Sequence, residues 1–137
     1  MPDAEPKRFL VVVTTNEAEK VLEALLLAAN AREMGMDTYM YFTLSGVEAL
    51  IRGQLNRLRP GRGTVASNLR RRADRIGLPS NLEEFYDELR SRGVKVYVDE
   101  PSLLAAGLAR GDLVPVDGLA GPGFPLALGP DTYTLVI

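Results

Sequence analysis

The stretch Phe9-Leu10-Val11-Val12-Val13 decides the fold. Five apolar residues in a row, three of them β-branched, read as a strand buried on both faces, the kind found inside a parallel sheet. Working outward, Thr14-Thr15-Asn16 leaves the strand. Asn16 and Glu19 have capping-box spacing, in which each side chain takes an orphan backbone N–H of the other. A helix follows to Met34, and Gly35 supplies the left-handed stop. Its apolar residues Val21, Leu22, Leu25, Leu26, Ala28 and Ala29 span a wide face that must pack on a sheet or a neighbour. Residues 38–43, Thr-Tyr-Met-Tyr-Phe-Thr, form the second strand. Strand, helix and strand in this short span predict a right-handed βαβ unit.

Beyond this unit, Ser45 is placed to cap a short helix over 46–52. Pro60-Gly61-Arg62-Gly63 is a turn, and a helix is expected over about 65–76, stopped by Gly77 and Pro79. Asn81 and Glu84 form a second capping box. Leu82, Phe85, Tyr86 and Leu89 recur at helical spacing up to Gly93. Val94 to Val98 is the third strand. Asp99-Glu100-Pro101 then opens a short helix over 102–109, with Pro101 at its first turn. A fourth strand is expected at 113–116, a loop over 118–131, and a last strand at 132–137. The alternation predicts one α/β domain over residues 1–137: a three-layer α/β/α sandwich around a mainly parallel five-stranded sheet.

Composition removes whole classes of chemistry. The 137 residues include no cysteine and no histidine. A thiolate nucleophile, a disulfide and a Cys-ligated metal are therefore excluded. The commonest general base and transition-metal ligand are missing too. No acidic loop has calcium-hand spacing, so neither metal nor cofactor is expected. No segment approaches the apolar length of a membrane helix. The first eight residues carry two acids and two bases without an apolar run, unlike a signal peptide. The expectation is a cytoplasmic protein with no membrane contact.

Charge is uneven. Residues 52–75 hold eight arginines against Asp74 alone, a charge of +7, while the rest of the chain carries −9. Arg62, Arg70, Arg71, Arg72 and Arg75 are candidate anion-binding residues. They also suit, and better, a solvated helix whose arginines pair with the acid-rich remainder, within the chain or across a subunit interface. The segment has no aromatic residue for base stacking and the whole chain is acidic, which weighs against nucleic acid as a partner. Gly61-Arg62-Gly63-Thr64 lacks the Gly-Lys-Ser/Thr ending of a phosphate loop.

The run Gly93-Val94-Lys95-Val96-Tyr97-Val98-Asp99-Glu100-Pro101-Ser102-Leu103-Leu104-Ala105-Ala106-Gly107-Leu108 resembles the DsrE/DsrF-like sulfur-relay family. So does the first βαβ unit, with its aromatic second strand (Tyr39, Tyr41, Phe42) followed by Gly46-Val47-Glu48-Ala49-Leu50. The resemblance covers most of residues 9–118. It implies a five-stranded α/β sheet, a cytoplasmic oligomer of trimeric or hexameric type, and persulfide transfer on a cysteine. Asp99 stands at that cysteine position. A carboxylate cannot carry a persulfide, so the resemblance implies the fold and the assembly without the chemistry. A cysteine-bearing paralogue is then a candidate partner beside the chain's own copies.

Asp99 falls at the carboxyl end of a central strand, the edge where open α/β sheets bind ligands. With Glu100 it reads as a substrate-facing acid or cation ligand, or as a cap that complements the following helix. Thr14, Thr15, Asn16 and Thr43 occupy the same edge and could line a pocket with Asp99. They equally serve as strand ends and an N-cap. Two function classes follow: an oligomeric binding or scaffold subunit, and a small-polar-ligand protein or carboxylate enzyme at Asp99. Anion binding by residues 52–75 is a third.

Apolar residues outside the strands point to self-association. Leu26 and Leu27 extend the apolar face of the first helix. Leu103, Leu104 and Leu108 crowd a short one, and Leu119, Phe124, Leu126 and Leu128 lie in the expected loop. A homo-oligomer, trimer or hexamer, is expected. The Asp99 helix and the 118–131 loop would lie near the interface, with Phe124 buried against a neighbouring subunit. The loop folding back over its own sheet is the other outcome.

Overall fold

The computed structural model describes residues 7–137; most of the charged N-terminal stretch noted above lies outside the described residues. Strand β1, Arg8–Val13, leads to helix α1, Ala18–Glu33, and to β2, Asp37–Phe42. A 3-10 helix over Leu44–Leu50 follows, then α2, Thr64–Arg72, and α3, Leu82–Ser91. Strand β3, Lys95–Asp99, runs into α4, Glu100–Ala105. The chain ends with β4, Gly118–Ala120, α5, Phe124–Ala127, and β5, Thr132–Val136. The five strands lie in the order β4-β3-β2-β1-β5, all parallel.

Strand alternation gives the sheet two different faces. Phe9, Val11, Val13, Met40, Phe42, Val96 and Val98 meet the buried stripe of α1 (Val21, Leu22, Ala24, Leu25, Ala28, Ala31) and α3 in the main core. Leu10, Val12 and Tyr41 point to the other face. A single turn, α5, covers that face through Phe124, whose ring lies 5.3 Å from Tyr41 and 4.7 Å from Tyr97. The three layers are thus unequal.

Several boundaries differ from the sequence reading for physical reasons. The fourth strand is Gly118–Ala120, not 113–116. Pro115 lacks an N–H for a ladder, and Leu113, Val114 and Val116 fill the core instead. Asp117 then sets the register: its N–H donates to the Val96 carbonyl at 2.8 Å and its carboxylate accepts the Val96 N–H at 2.6 Å. The 118–131 segment is consequently not a plain loop. It carries β4 and α5, and Phe124 packs on its own sheet rather than awaiting another subunit. Leu128 packs there too, while Leu126 remains 87% exposed.

The first capping box does not form. Glu17 occupies the N-cap of α1, Thr15 Oγ1 accepts its N–H at 3.1 Å, and Glu19 reaches across to the Gly61 N–H at 2.8 Å. The second box keeps its main bond, from Glu84 N–H to Asn81 Oδ1 at 3.0 Å. The helix expected over 65–76 is α2 plus a 3-10 turn, Ala73–Ile76, ended by left-handed Gly77. The helix expected over 102–109 begins earlier, with Asp99 itself as N-cap. Among the described residues no helix is long and apolar enough to cross a membrane.

Candidate functional site

Parallel pairing sets Phe42 beside Val98, so the next residues, Thr43 and Asp99, stand side by side at the carboxyl end of the sheet. Alternation turns Tyr41 and Asp99 to the same face. Tyr41 Oη donates to Asp99 Oδ1 at 2.6 Å. Asp99 Oδ2 accepts from the Thr43 hydroxyl at 3.2 Å, the Ser102 N–H at 3.1 Å and the Ser102 hydroxyl. Ser102 Oγ in turn accepts the Leu44 N–H at 2.8 Å. Leu44 takes a left-handed backbone, φ 52°, unusual for a branched residue. One carboxylate thereby ties together the ends of β2 and β3, the start of α4 and the first 3-10 turn.

The protons in this cluster can be counted. Tyr41 Oη also lies 2.9 Å from the Gly121 carbonyl. A phenol has one hydrogen, so with Asp99 ionised, Tyr41 serves the carboxylate and Gly121 goes without. Asp99 is 6% exposed and Tyr41 3% exposed. Burial opposes the charge on Asp99, but the bonds from the Ser102 hydroxyl, Tyr41, the Ser102 N–H and Thr43 outweigh it and hold the carboxyl below its usual range. Burial first, then the bond and charge of Asp99, push the Tyr41 phenol above its usual range. Asp99 is therefore a carboxylate at neutral pH with both oxygens engaged.

The other predicted residues lie apart from this cluster in bonding. The Thr14 hydroxyl and N–H both donate to the Ile137 carbonyl, at 2.8 and 2.7 Å, across the ends of β1 and β5. Glu100 is exposed on α4. Asn16 lines two neighbouring grooves beside the start of α1. One, of about 440 Å³, includes Glu48, Gln54, Arg57 and Arg59. The other, of about 620 Å³, includes Glu17, Glu19, Lys20, Arg59 and Arg62.

The arginine segment makes no ion pair among the described residues, where the pairs are Lys20–Glu17, Arg90–Asp117 and Arg92–Glu88. The expected pairing with the acid-rich remainder is thus not made within the described chain. Arg70 donates to the Leu58 carbonyl at 2.8 Å and Arg52 to the Gly111 carbonyl at 3.1 Å, so both brace the long connection. Arg71 bonds Asn68, and Arg72 and Arg75 are exposed. Among the described residues no group of three acids is placed to hold a metal ion.

Sequence reasoning passed over Tyr41 and Ser102 as site residues and took Arg57 and Arg59 only as part of the 52–75 segment. A signal for Tyr41 and Ser102 existed. Tyr41 is two residues before Thr43 on the strand beside β3, and Ser102 sits three after Asp99, the spacing of a capped N–H.

The model of the DsrE/DsrF/DrsH-like family matches residues 5–79. Two solved structures share the fold. The protein of unknown function MTH1491 from Methanobacterium thermoautotrophicum is 16% identical with a TM-score of 0.61, the match covering 95% of this chain and 98% of that one. The ychN protein from E. coli is 21% identical with a TM-score of 0.58, covering 95% of this chain and 99% of that one. No curated protein matches the chain.

Proposed function

This chain belongs to the DsrE/DsrF/DrsH-like family, and from that premise we propose that it works as an oligomeric binding or scaffold subunit and carries no persulfide itself. The observation behind this reading is the state of Asp99. At the end of β3 the chain places a carboxylate whose oxygens are consumed by Tyr41, Thr43 and Ser102. A buried general acid would be raised toward neutrality, and a ligand-binding carboxylate would keep an oxygen open to its ligand. Asp99 is closed and lowered, which favours capping over acid–base chemistry. The residues that remain free are at surfaces, as a binding subunit requires.

The test combines sulfur uptake with assembly. Incubated with a persulfide donor, the native chain takes up no sulfur, and it sediments as an oligomer, trimeric or hexameric, at micromolar concentration. Uptake by the native chain, or a single species of monomer mass, overturns the proposal.

A second reading has its own observation: Arg57, Arg59 and Arg62 line adjoining grooves with Asn16 without an ion pair among the described residues. These grooves would take a small polyanion. Titration with pyrophosphate at low and at physiological salt decides it, because anion binding strengthens at low salt. No binding at low salt ends this reading.

A further inference from the structure

Strand β5 forms one margin of the sheet. Its inner side pairs with β1, and nothing among the described residues pairs with its outer side. Ile137 donates its N–H to Val12 and accepts from Thr14, while the Asp131 carbonyl accepts from Arg8. Backbone groups alternate sides along a strand. Odd-numbered residues therefore face β1, and Thr132, Thr134 and Val136 turn three N–H and three C=O groups outward.

Sheets guard such margins with charge, proline, a bulge or brevity. The opposite margin follows the rule, since β4 is only Gly118–Ala120. Strand β5 breaks it. Thr-Tyr-Thr-Leu-Val is longer, uncharged and made of good strand formers without proline. Tyr133 is 51% exposed and Val136 68% exposed. Beside it, an apolar groove of about 350 Å³ runs between β5 and α1, lined by Phe9, Leu27, Met34 and Tyr133.

We propose that a second copy of this chain pairs at this margin, β5 against β5, antiparallel about a two-fold axis through Thr134. This rests on the oligomeric reading above and names its interface. In this register Thr134 faces its own copy and Thr132 faces the partner's Val136. All the outward groups of both strands are satisfied together, because antiparallel partners exchange bonds in such pairs. Shifting by one residue sets outward groups against inward ones, and shifting by two leaves groups unpaired.

Side chains agree with the register. Tyr133 lies opposite the partner's Leu135 on the α1 face, an aromatic–aliphatic cross-strand pair. On the other face β-branched residues meet β-branched residues. An isologous contact sets a patch against itself; a charge at position 134 would directly oppose its copy and one elsewhere on the strand would lie close to it, and β5 carries none. That absence favours a second copy over a foreign strand. The exposed flank of α1, with Leu27 and Met34, adjoins the axis and adds the apolar area that a strand edge alone lacks. The paired sheet would have ten strands. A two-fold of this kind belongs to a dimer or a hexamer and is absent from a simple trimer.

The chain has no cysteine, so single thiols report the contact cleanly. Thr134→Cys, oxidised with excess oxidised glutathione, is expected to give a covalent dimer, since facing Cα atoms about 5.5 Å apart suit a disulfide. Leu126→Cys, also on the surface, is expected to give none. Thr134→Lys sets like charges at the axis and is expected to raise the dissociation constant of the pair about tenfold or more, with circular dichroism at matched low concentration unchanged. An oligomer that survives Thr134→Lys, together with no Thr134→Cys dimer, overturns the β5 interface and leaves oligomerisation standing; the margin would then be open to another protein's strand. A native chain that is monomeric throughout the micromolar range ends both proposals.

Discussion

Alanine and asparagine at position 99 should behave very differently, and the proton count in the cluster says why. Asp99→Ala removes the N-cap of α4, about 1 kcal/mol. It also deprives the half-buried Ser102 hydroxyl of its acceptor, roughly 1–3 kcal/mol for a polar group left unmet. Tyr41 and Thr43 have fallback partners in the Gly121 carbonyl, at 2.9 Å, and Ser102 Oγ, at 3.3 Å. These limit the damage, and the total is roughly 2–4 kcal/mol. For a domain of this size that is a fall in melting temperature of about 8–15 °C. Asp99→Asn is expected to lie within about 1 kcal/mol of the native chain. Its amide NH₂ can donate to Tyr41 Oη, which frees the phenol hydrogen for Gly121. Its carbonyl still accepts from Ser102 and Thr43. Thermal and urea unfolding followed by circular dichroism measure both. An alanine variant within 1 kcal/mol of native, or an asparagine variant as unstable as alanine, refutes the proton count.

Gly46 offers a steric test: a Cβ there would meet the Val13 carbonyl oxygen at 2.1 Å, a backbone atom that also accepts the Thr43 N–H. Gly46→Ala should cost about 3 kcal/mol by urea unfolding, and a loss under 1 kcal/mol would mean the first 3-10 helix sits elsewhere. Leu44→Gly should stabilise by about 0.5–1 kcal/mol, since relief of the left-handed strain exceeds the added chain entropy and the side chain is 66% exposed. On the acid side, the lowered Asp99 carboxyl contributes stability that is complete above the unfolded value of about 3.9 and is lost as pH falls through the folded one. Asp99→Asn should therefore shallow the acid limb of a stability–pH curve. On the alkaline side, the raised phenol of Tyr41 contributes stability that is complete below about pH 10 and fades as pH rises toward its folded value, so Tyr41→Phe should flatten that limb.

The central strands were legible because their signal is local. Unbroken Val-Val-Val and the aromatic second strand can be buried only inside a sheet, and both pair where expected. The edges were not, because an edge is defined by what lies beside it. Leu113, Val114 and Val116 have a strand's composition but point into the core around Pro115. Gly118–Ala120 has no strand propensity and becomes one through Asp117, whose two bonds to Val96 align it with β3. The Asn16 cap failed for a similar reason. Glu19, its expected partner, found the Gly61 N–H, 42 positions away. For the candidate site, Asp99 and Thr43 were readable as strand ends. Tyr41 was not, because its role depends on face and register, which need the neighbouring strand.

The carboxyl edge of a parallel sheet is where this architecture would hold a ligand, and here that edge is largely spent on the chain itself. Thr14 spans the ends of β1 and β5 by donating twice to Ile137. Asp99 closes the ends of β2 and β3 through Tyr41, Thr43 and Ser102. What the fold leaves unspent lies elsewhere: arginines in the grooves beside Asn16 that make no ion pair among the described residues, an uncharged margin on β5, and apolar residues such as Met34 and Val136 in solvent. A chemical centre needs converging polar groups with unmet demands. A subunit of an assembly needs the opposite, a settled interior and unsettled edges. The distribution of satisfied and unsatisfied groups in this chain supports the subunit role proposed above, and Asp99, at the carboxyl end of β3, is among its best-satisfied residues.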